Sequence, residues 1–371
     1  MRELSLDTLI GFTCPLTQRS LYEVSLDEAR HTIAAGRPLA SRRTGPRPVG
    51  ETPLVLLRDD AQAAFPVVDG VPVLLAPEIL TRDPSQFDLA GSHYAEAYSE
   101  IGFYDAAAAD LAEQIQRDSL AVSDAESIRW LDRLHKTQID RAAFPLPREL
   151  WLTSRMDLGS EWDCYSHISP VADQSVVQLG GTGTAAIGLL LAGAANASLL
   201  TPMLGEARLA RALAQAVGVQ IRCVIGIAEE IPLPTASADI AYSAGSLHHM
   251  TTDKAFPEIS RVLRPGGRFA AVEPWRAPLY GVGTRLFGKR EANAFCRPLT
   301  AERLRPLADA FSRSRIVQHG TLTRYPMLAL EKLGARFSLS TAWRVTKFDD
   351  SICLPLGLRR FGSGVAVLAT K

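Results

Sequence analysis

Several stretches of the chain carry side chains suited to ligand chemistry, and they fall within one segment, residues 176–249. Gly180, Gly181, Thr182 and Gly183 follow the apolar run Val176–Leu179. Glycine takes up left-handed backbone that other residues resist, so this spacing permits a tight turn directly after a strand. Thr201-Pro202 ends a second apolar run, and Ala228-Glu229 follows a third. Ser243 and the pair His248-His249 follow a fourth. A histidine there can act as a general base, because its pKa lies near neutrality; it can equally open a helix and shape a pocket. His248, His249 and Glu273 together form a conceivable metal-ligand set. Adjacent histidines on one turn seldom converge on a single ion, so no metal is expected.

The elements that must hold these residues alternate in type. Val176–Leu179, Ser198–Leu200, Arg222–Gly226 and Asp239–Tyr242 read as buried strands, with helical patterns from Thr184 and from Thr201-Pro202. Thr201 is expected to serve as a helix N-cap with Pro202 at the first helical position. Strand–helix alternation at this spacing implies right-handed crossovers and an α/β, doubly wound, mostly parallel sheet. Ligands bind such sheets beyond the carboxyl ends of the strands, where these turns lie.

The segment AEEIPLPTASADIAYSAGSLHHM resembles the class I S-adenosylmethionine (SAM) dependent methyltransferases, in the group containing the ubiquinone and menaquinone enzymes. Ala228, Glu229, Pro232, Pro234, Ser237, Asp239, Ser243, Leu247, His248 and His249 fall on that family's pattern. Glu258 and the run Arg261–Gly267 match its following helix, turn and fifth strand. The resemblance covers roughly residue 170 to the end and implies a seven-stranded sheet. It also implies SAM as cofactor, with Gly180, Gly181, Thr182 and Gly183 toward its methionine part, Thr201 toward the ribose, Ala228 and Glu229 toward the adenine, and Ser243 beside it. The same likeness shows what is missing. Three positions where the family carries acids hold Gln178, Thr201 and Ile227. A hydrogen bond to a charged acceptor contributes about 1.5–3 kcal/mol, so losing two of them weakens an ordinary pose by roughly two to four powers of ten. Glu206 and Glu229 are the acids able to substitute in a shifted pose.

Composition sets the outer bounds. The chain has 371 residues, is 47% hydrophobic and 22% charged, and balances 40 basic against 40 acidic side chains. That is the profile of a globular protein, and 371 residues suggest two or three domains. Nucleic-acid binding needs clustered positive charge, and no such block exists. The longest apolar run, residues 185–200, is too short and too interrupted for a membrane span. Cys14, Cys164, Cys223, Cys296 and Cys353 are odd in number and scattered, which argues against a disulfide framework and for a cytoplasmic setting.

Residues 1–80 resemble a second module, the small zinc-ribbon proteins that activate tRNA methyltransferases. Phe65–Leu75 carries the likeness, but of four thiolate positions only Cys14 survives; the others are Thr17, Arg58 and Ala61. One thiolate cannot hold structural zinc, so a zinc-free β-rich module is expected. Gly36–Thr52 reads as an exposed loop. Residues 81–170 form an aromatic-rich helical connecting segment, with helical periodicity at Ala106–Gln116 and Ser123–His135. By the methyltransferase analogy, residues 148–151 and 162–167 line the mouth of the site. Arg268–Glu273 is expected as the fifth strand, Tyr280–Ala294 as a cover, Thr300 as a helix N-cap, and Arg315–Gly320 and Gly362–Leu368 as the last strands. Between these two lies a long excursion, residues 321–361, suited to substrate selection or homodimer formation.

These readings imply a SAM-dependent methyltransferase acting on a small molecule through an atypical cofactor site. Two alternatives stay open: the same fold with another ligand or reaction, and a non-catalytic partner subunit.

Overall fold

The computed structural model describes residues 11–33, 54–82, 92–117, 158–278, 297–335 and 339–371, with Val282 and Phe337 besides. The expected loop at Gly36–Thr52, the helical stretch Ser123–His135 and residues 148–151 lie outside the described residues, as does Tyr280–Ala294 apart from Val282.

The large sheet has seven strands: β6 (Ser175–Leu179), β7 (Asn196–Thr201), β8 (Arg222–Ile225), β9 (Ala238–Ala244), β10 (Leu263–Pro274), β11 (Arg313–His319) and β12 (Gly364–Thr370). Their spatial order is β11-β12-β10-β9-β6-β7-β8. The pairings β10–β9, β9–β6, β6–β7 and β7–β8 are parallel, while β12 runs antiparallel to both β10 and β11. The crossovers are α4 (Thr184–Leu191) between β6 and β7, α5 (Leu204–Ala216) between β7 and β8, and α6 (Thr252–Val262) between β9 and β10. Alternate residues along a strand serve opposite faces. Val176 and Leu199 join one core with α3 (Leu158–Ile168), α4 and α5, whereas Val177 and Leu200 join another with α6 and α7 (Arg305–Ala310). Two apolar layers on one sheet are what an α/β sheet covered on both faces requires.

The N-terminal part forms a second sheet of β1 (Leu21–Ser25), β2 (Leu54–Arg58), β3 (Ala63–Val68), β4 (Val71–Pro72) and β5 (Leu80–Thr81), antiparallel throughout. One face packs on α1 (Leu26–Ile33) through Val24, Ala29, Val55 and Leu57. The other face, with Phe12, Cys14, Leu56 and Phe65, merges with the large sheet's core. Leu74 N–H donates to Ile225 O at 2.7 Å, and Val73 bridges Ile225 in parallel. The small sheet thus closes β8, an edge that would otherwise leave unpaired backbone groups. Where zinc ligands would converge, Cys14 is fully buried and Arg58 donates to Asp60 at 2.7 Å. Burial works against the Arg58 charge, but hydrogen bonds with Asp60 and Cys14 outweigh it and raise its pKa. A cation occupies the place the resemblance gives to a metal ligand.

Helix α2 (Ser92–Arg117) contains the expected Ala106–Gln116 stretch and begins a dozen or so residues earlier. It lies against α5, with Ala108 and Ala112 packed on Leu209 and Ala212. Two expected helix starts need correction. Thr201 is the last residue of β7 and pairs with Ile225; α5 begins at Leu204 with Met203 as its N-cap. Proline pushes the preceding residue toward extended backbone, which keeps Thr201 in the strand. Thr300 does open the turn that leads into α7, its Oγ1 accepting Arg303 N–H at 3.3 Å and its carbonyl accepting Leu304 N–H at 3.1 Å, but the helix itself starts only at Arg305, with Leu304 as its N-cap and proline in its first turn. The fifth strand begins at Leu263, and its register breaks between Leu263 and Arg268. The excursion at 321–361 holds α8 (Arg324–Lys332) and α9 (Leu339–Cys353). Among the described residues no helix is long and apolar enough to cross a membrane.

Candidate functional site

The glycine turn leaves β6 at the carboxyl edge of the sheet. Gly180, Gly181 and Gly183 have φ of 74°, 76° and 78°, a left-handed run that suits glycine. A Cβ on Gly180 would lie 2.5 Å from the Ser246 side chain, and one on Gly183 would lie 2.6 Å from Ala210 Cβ. These close approaches bring the turn against the segment after β9 and seat α4 on α5. Gln178, at the end of β6, holds the turn from inside: its Nε2 donates to Gly180 O and its Oε1 accepts from Ala186 N–H, both at 2.8 Å. A neutral amide satisfies one acceptor and one donor of the backbone, which a carboxylate cannot do.

At the end of β7 Thr201 is fully buried, and its hydroxyl donates to Glu206 Oε2. Glu206 stands on the first turn of α5 and is 7% exposed. Its carboxylate therefore returns to the level of the strand end, five residues after Thr201. Above it, Asp105 of α2 accepts Gly205 N–H at 2.6 Å and caps α5.

After β8, Ala228 and Glu229 are buried at 4% and 9% exposure, and Glu229 Oε1 accepts Thr251 N–H at 2.6 Å. Tyr94 of α2 donates its hydroxyl to Glu230, and burial with that nearby carboxylate pushes the phenol far above its ordinary pKa. Beyond Glu229, Glu258 accepts Ile231 N–H at 2.9 Å and Arg261 donates to the carbonyls of Ile231 and Leu233. Glu258 and Arg261 are loop-holding residues. Asp239 accepts from Ser175 N–H and Arg264 at the opposite, amino end of the sheet, away from the site.

The segment after β9 forms a short 3₁₀ turn at Leu247–His249. Glu273, at the end of β10 and 2% exposed, grips that turn from below. Its Oε1 accepts the N–H groups of Ser246 at 3.0 Å and Leu247 at 2.8 Å, and Ser243 Oγ at 3.4 Å. Its Oε2 meets His248 Nδ1 at 2.6 Å. Burial disfavours the Glu273 charge, but the His248 ring and the two backbone donors outweigh burial and hold the carboxyl below its usual range. An ionised carboxylate only accepts, so Nδ1 carries the proton and Nε2 of a neutral ring is the basic nitrogen. From above, Arg303 donates to the carbonyls of His248 at 3.0 Å and Met250 at 2.8 Å. The His249 ring lies beside that of His248, with centroids 4.0 Å apart and the planes tilted by 42°.

The geometry brings Gly180–Gly183, Thr201, Ala228-Glu229, Ser243 and His248 to one edge of the sheet. It does not assemble His248, His249 and Glu273 as metal ligands, because both Glu273 oxygens already accept hydrogen bonds from the turn; among the described residues no metal-holding group occurs. Sequence reasoning missed Arg303 and the clamping role of Glu273, since both act across long stretches of chain.

Residues 179–271 match the family model described as a methyltransferase domain. An uncharacterized methyltransferase of Mycobacterium bovis is 45% identical over 53 residues, 14% of this chain and 22% of that protein. The ubiquinone/menaquinone biosynthesis C-methyltransferase of Rubrivivax gelatinosus is 36% identical over 121 residues, 31% of this chain and 47% of that protein. The chain thus spans less than half the length of these curated relatives. Among solved structures, phosphoethanolamine N-methyltransferase 2 of Haemonchus contortus shares 16% identity over 65% of this chain and 60% of its own, with a TM-score of 0.42.

Proposed function

We propose that the protein transfers a methyl group from SAM to a small-molecule acceptor, through a cofactor site whose ribose acid has moved; the match of residues 179–271 to the methyltransferase-domain model supports the methyl chemistry. The observation that carries this reading is the Thr201–Glu206 hydrogen bond, which sets a buried carboxylate at the end of β7 although the strand itself ends in a neutral residue. The fit of the remaining residues is consistent with the cofactor. Gly180, Gly181 and Gly183 keep backbone free of Cβ atoms where the methionine part would lie. Ala228 and Glu229 present a small side chain and a held carboxylate toward the adenine.

When bound, SAM supplies an electrophilic methyl on a sulfonium. The protein's own part is alignment and proton handling. The glycine turn, Glu206 and Glu229 orient the cofactor, and alignment of two reactants can itself supply several kcal/mol of the barrier, about 7–11 at best. His248, its Nδ1 proton held by Glu273, presents Nε2 as the acceptor for a proton lost by the methylated atom. Helix α2 closes the adenine side through Tyr94, and its Glu96 pairs with Arg297 at 3.2 Å.

The non-methylating alternative keeps one supporting observation: Gln178 spends both ends of its amide on the glycine turn. Calorimetric titration with SAM and with S-adenosylhomocysteine separates the two. Micromolar binding supports the methyltransferase reading, and absence of binding at millimolar ligand removes it.

A further inference from the structure

The outward face of α9 and the segment that follows it carry an arrangement that neither the fold nor the site explains. Arg344, Lys347, Phe348 and Ser351 are exposed at helical spacing i, i+3, i+4 and i+7, so they form one stripe. The stripe runs into Leu354 and Leu356, and Phe348, Leu354 and Leu356 are 60%, 62% and 64% exposed. The acids of this stretch are turned away. Asp349 is 2% exposed and accepts Leu322 N–H, Thr323 N–H and the Thr323 hydroxyl. Asp350 pairs with His319 and Arg359. Between residues 341 and 361 no other acid exists.

We infer that this face, built on Arg344, Lys347, Phe348, Leu354 and Leu356, docks the protein on an anionic lipid surface. Large apolar side chains in water are unfavourable, and three of them beside cations, with every carboxylate withdrawn, are the chemistry of a helix that lies in the interface of a negatively charged bilayer. A second copy of the chain fits poorly: a two-fold contact would set Arg344 and Lys347 against their own kind with no acid on the face to receive them. The opposite side of α9 is tied into the protein by Ala342, Asp349 and Cys353, all buried, so the stripe is presented on a fixed element.

The test is co-sedimentation of the full chain with vesicles of phosphatidylcholine alone and of phosphatidylcholine with phosphatidylglycerol, at low and high salt. Binding is expected only with phosphatidylglycerol, weakening as salt rises. Arg344→Gln with Lys347→Gln should lower the partition by roughly fivefold for each cation removed. Phe348→Ser with Leu354→Ser and Leu356→Ser should abolish it while the thermal transition stays unchanged, since all three side chains are exposed. Absence of binding to phosphatidylglycerol vesicles, equal binding by the variants, or a sedimentation-equilibrium dimer lost in the same variants would overturn the inference. So would capture of an acidic protein partner in place of vesicles.

Discussion

The Glu273 carboxylate lies 2.6 Å from His248 Nδ1 while also accepting the N–H groups of Ser246 and Leu247. One buried group therefore fixes both the backbone of the turn and the tautomer of the ring it carries. Glu273→Gln replaces the acceptor facing Nδ1 by an amide that also donates, so the ring proton is expected to move to Nε2. Methyl transfer should then fall by about 10²–10⁴ in kcat with KM for SAM nearly unchanged. Nitrogen-15 spectra of the ring report the tautomer directly; an unchanged tautomer together with unchanged kcat would remove His248 from proton transfer.

The contact between α2 and α5 leaves no room at Gly205, where a Cβ would lie 2.1 Å from Asp105 O and 2.9 Å from Ala109 N. Both are backbone atoms and cannot swing aside. Gly205→Ala is expected to cost about 1–3 kcal/mol and to release α2. Thermal unfolding measures the first effect and proteolysis within α2 the second. A variant as stable and as resistant as the parent would show that the two helices are not locked together.

His319, at the end of β11, is buried between Asp163 of α3 and Asp350 of α9, with each ring nitrogen 3.0 Å from a carboxylate. Burial opposes its charge, but the two carboxylates outweigh burial and raise its pKa, while hydrogen bonding to His319 helps hold Asp163 below its usual range against burial. The signs differ. The raised histidine stabilises fully below its unfolded pKa of about 6.5, and that contribution is lost as pH rises through the higher folded value. The lowered aspartate stabilises above about 3.9, and its contribution is lost as pH falls through its folded value. The melting temperature should therefore decline on the alkaline side of neutrality, and His319→Gln should flatten that decline. An identical slope in the variant would exclude the cluster as its source. The groups facing this ring are Asp163, Asp350 and Arg359, with Arg315 acting on Asp163.

The order of strands and helices over residues 175–274 was legible because apolar runs, glycine turns and helical spacing are local signals. Even there local rules competed. Thr201-Pro202 reads as cap and first turn, yet extended pairing with Ile225 keeps Thr201 in the sheet. Longer-range features left weaker traces. The sequence marks Glu206 and Glu229 alike as acids near the crevice, but the approach of Glu206 to Thr201 depends on α5 starting at Leu204. Glu273 reads as an ordinary strand end, since its partners lie some 25 residues earlier in the chain. In the N-terminal sheet the sequence shows Cys14 without further cysteines nearby, whereas the Arg58–Asp60 pair emerges only from the packing.

If Glu206 takes the place of a ribose-binding acid on β7, the affinity for S-adenosylhomocysteine must differ between the parent chain and Glu206→Gln, which calorimetry measures. Removing a charged acceptor of two ribose hydroxyls should weaken binding by roughly tenfold to a hundredfold, with the thermal transition little changed. Equal affinities would show that the carboxylate plays no part in holding the nucleoside, and a parent chain that binds neither SAM nor its demethylated product would contradict the methyltransferase reading itself.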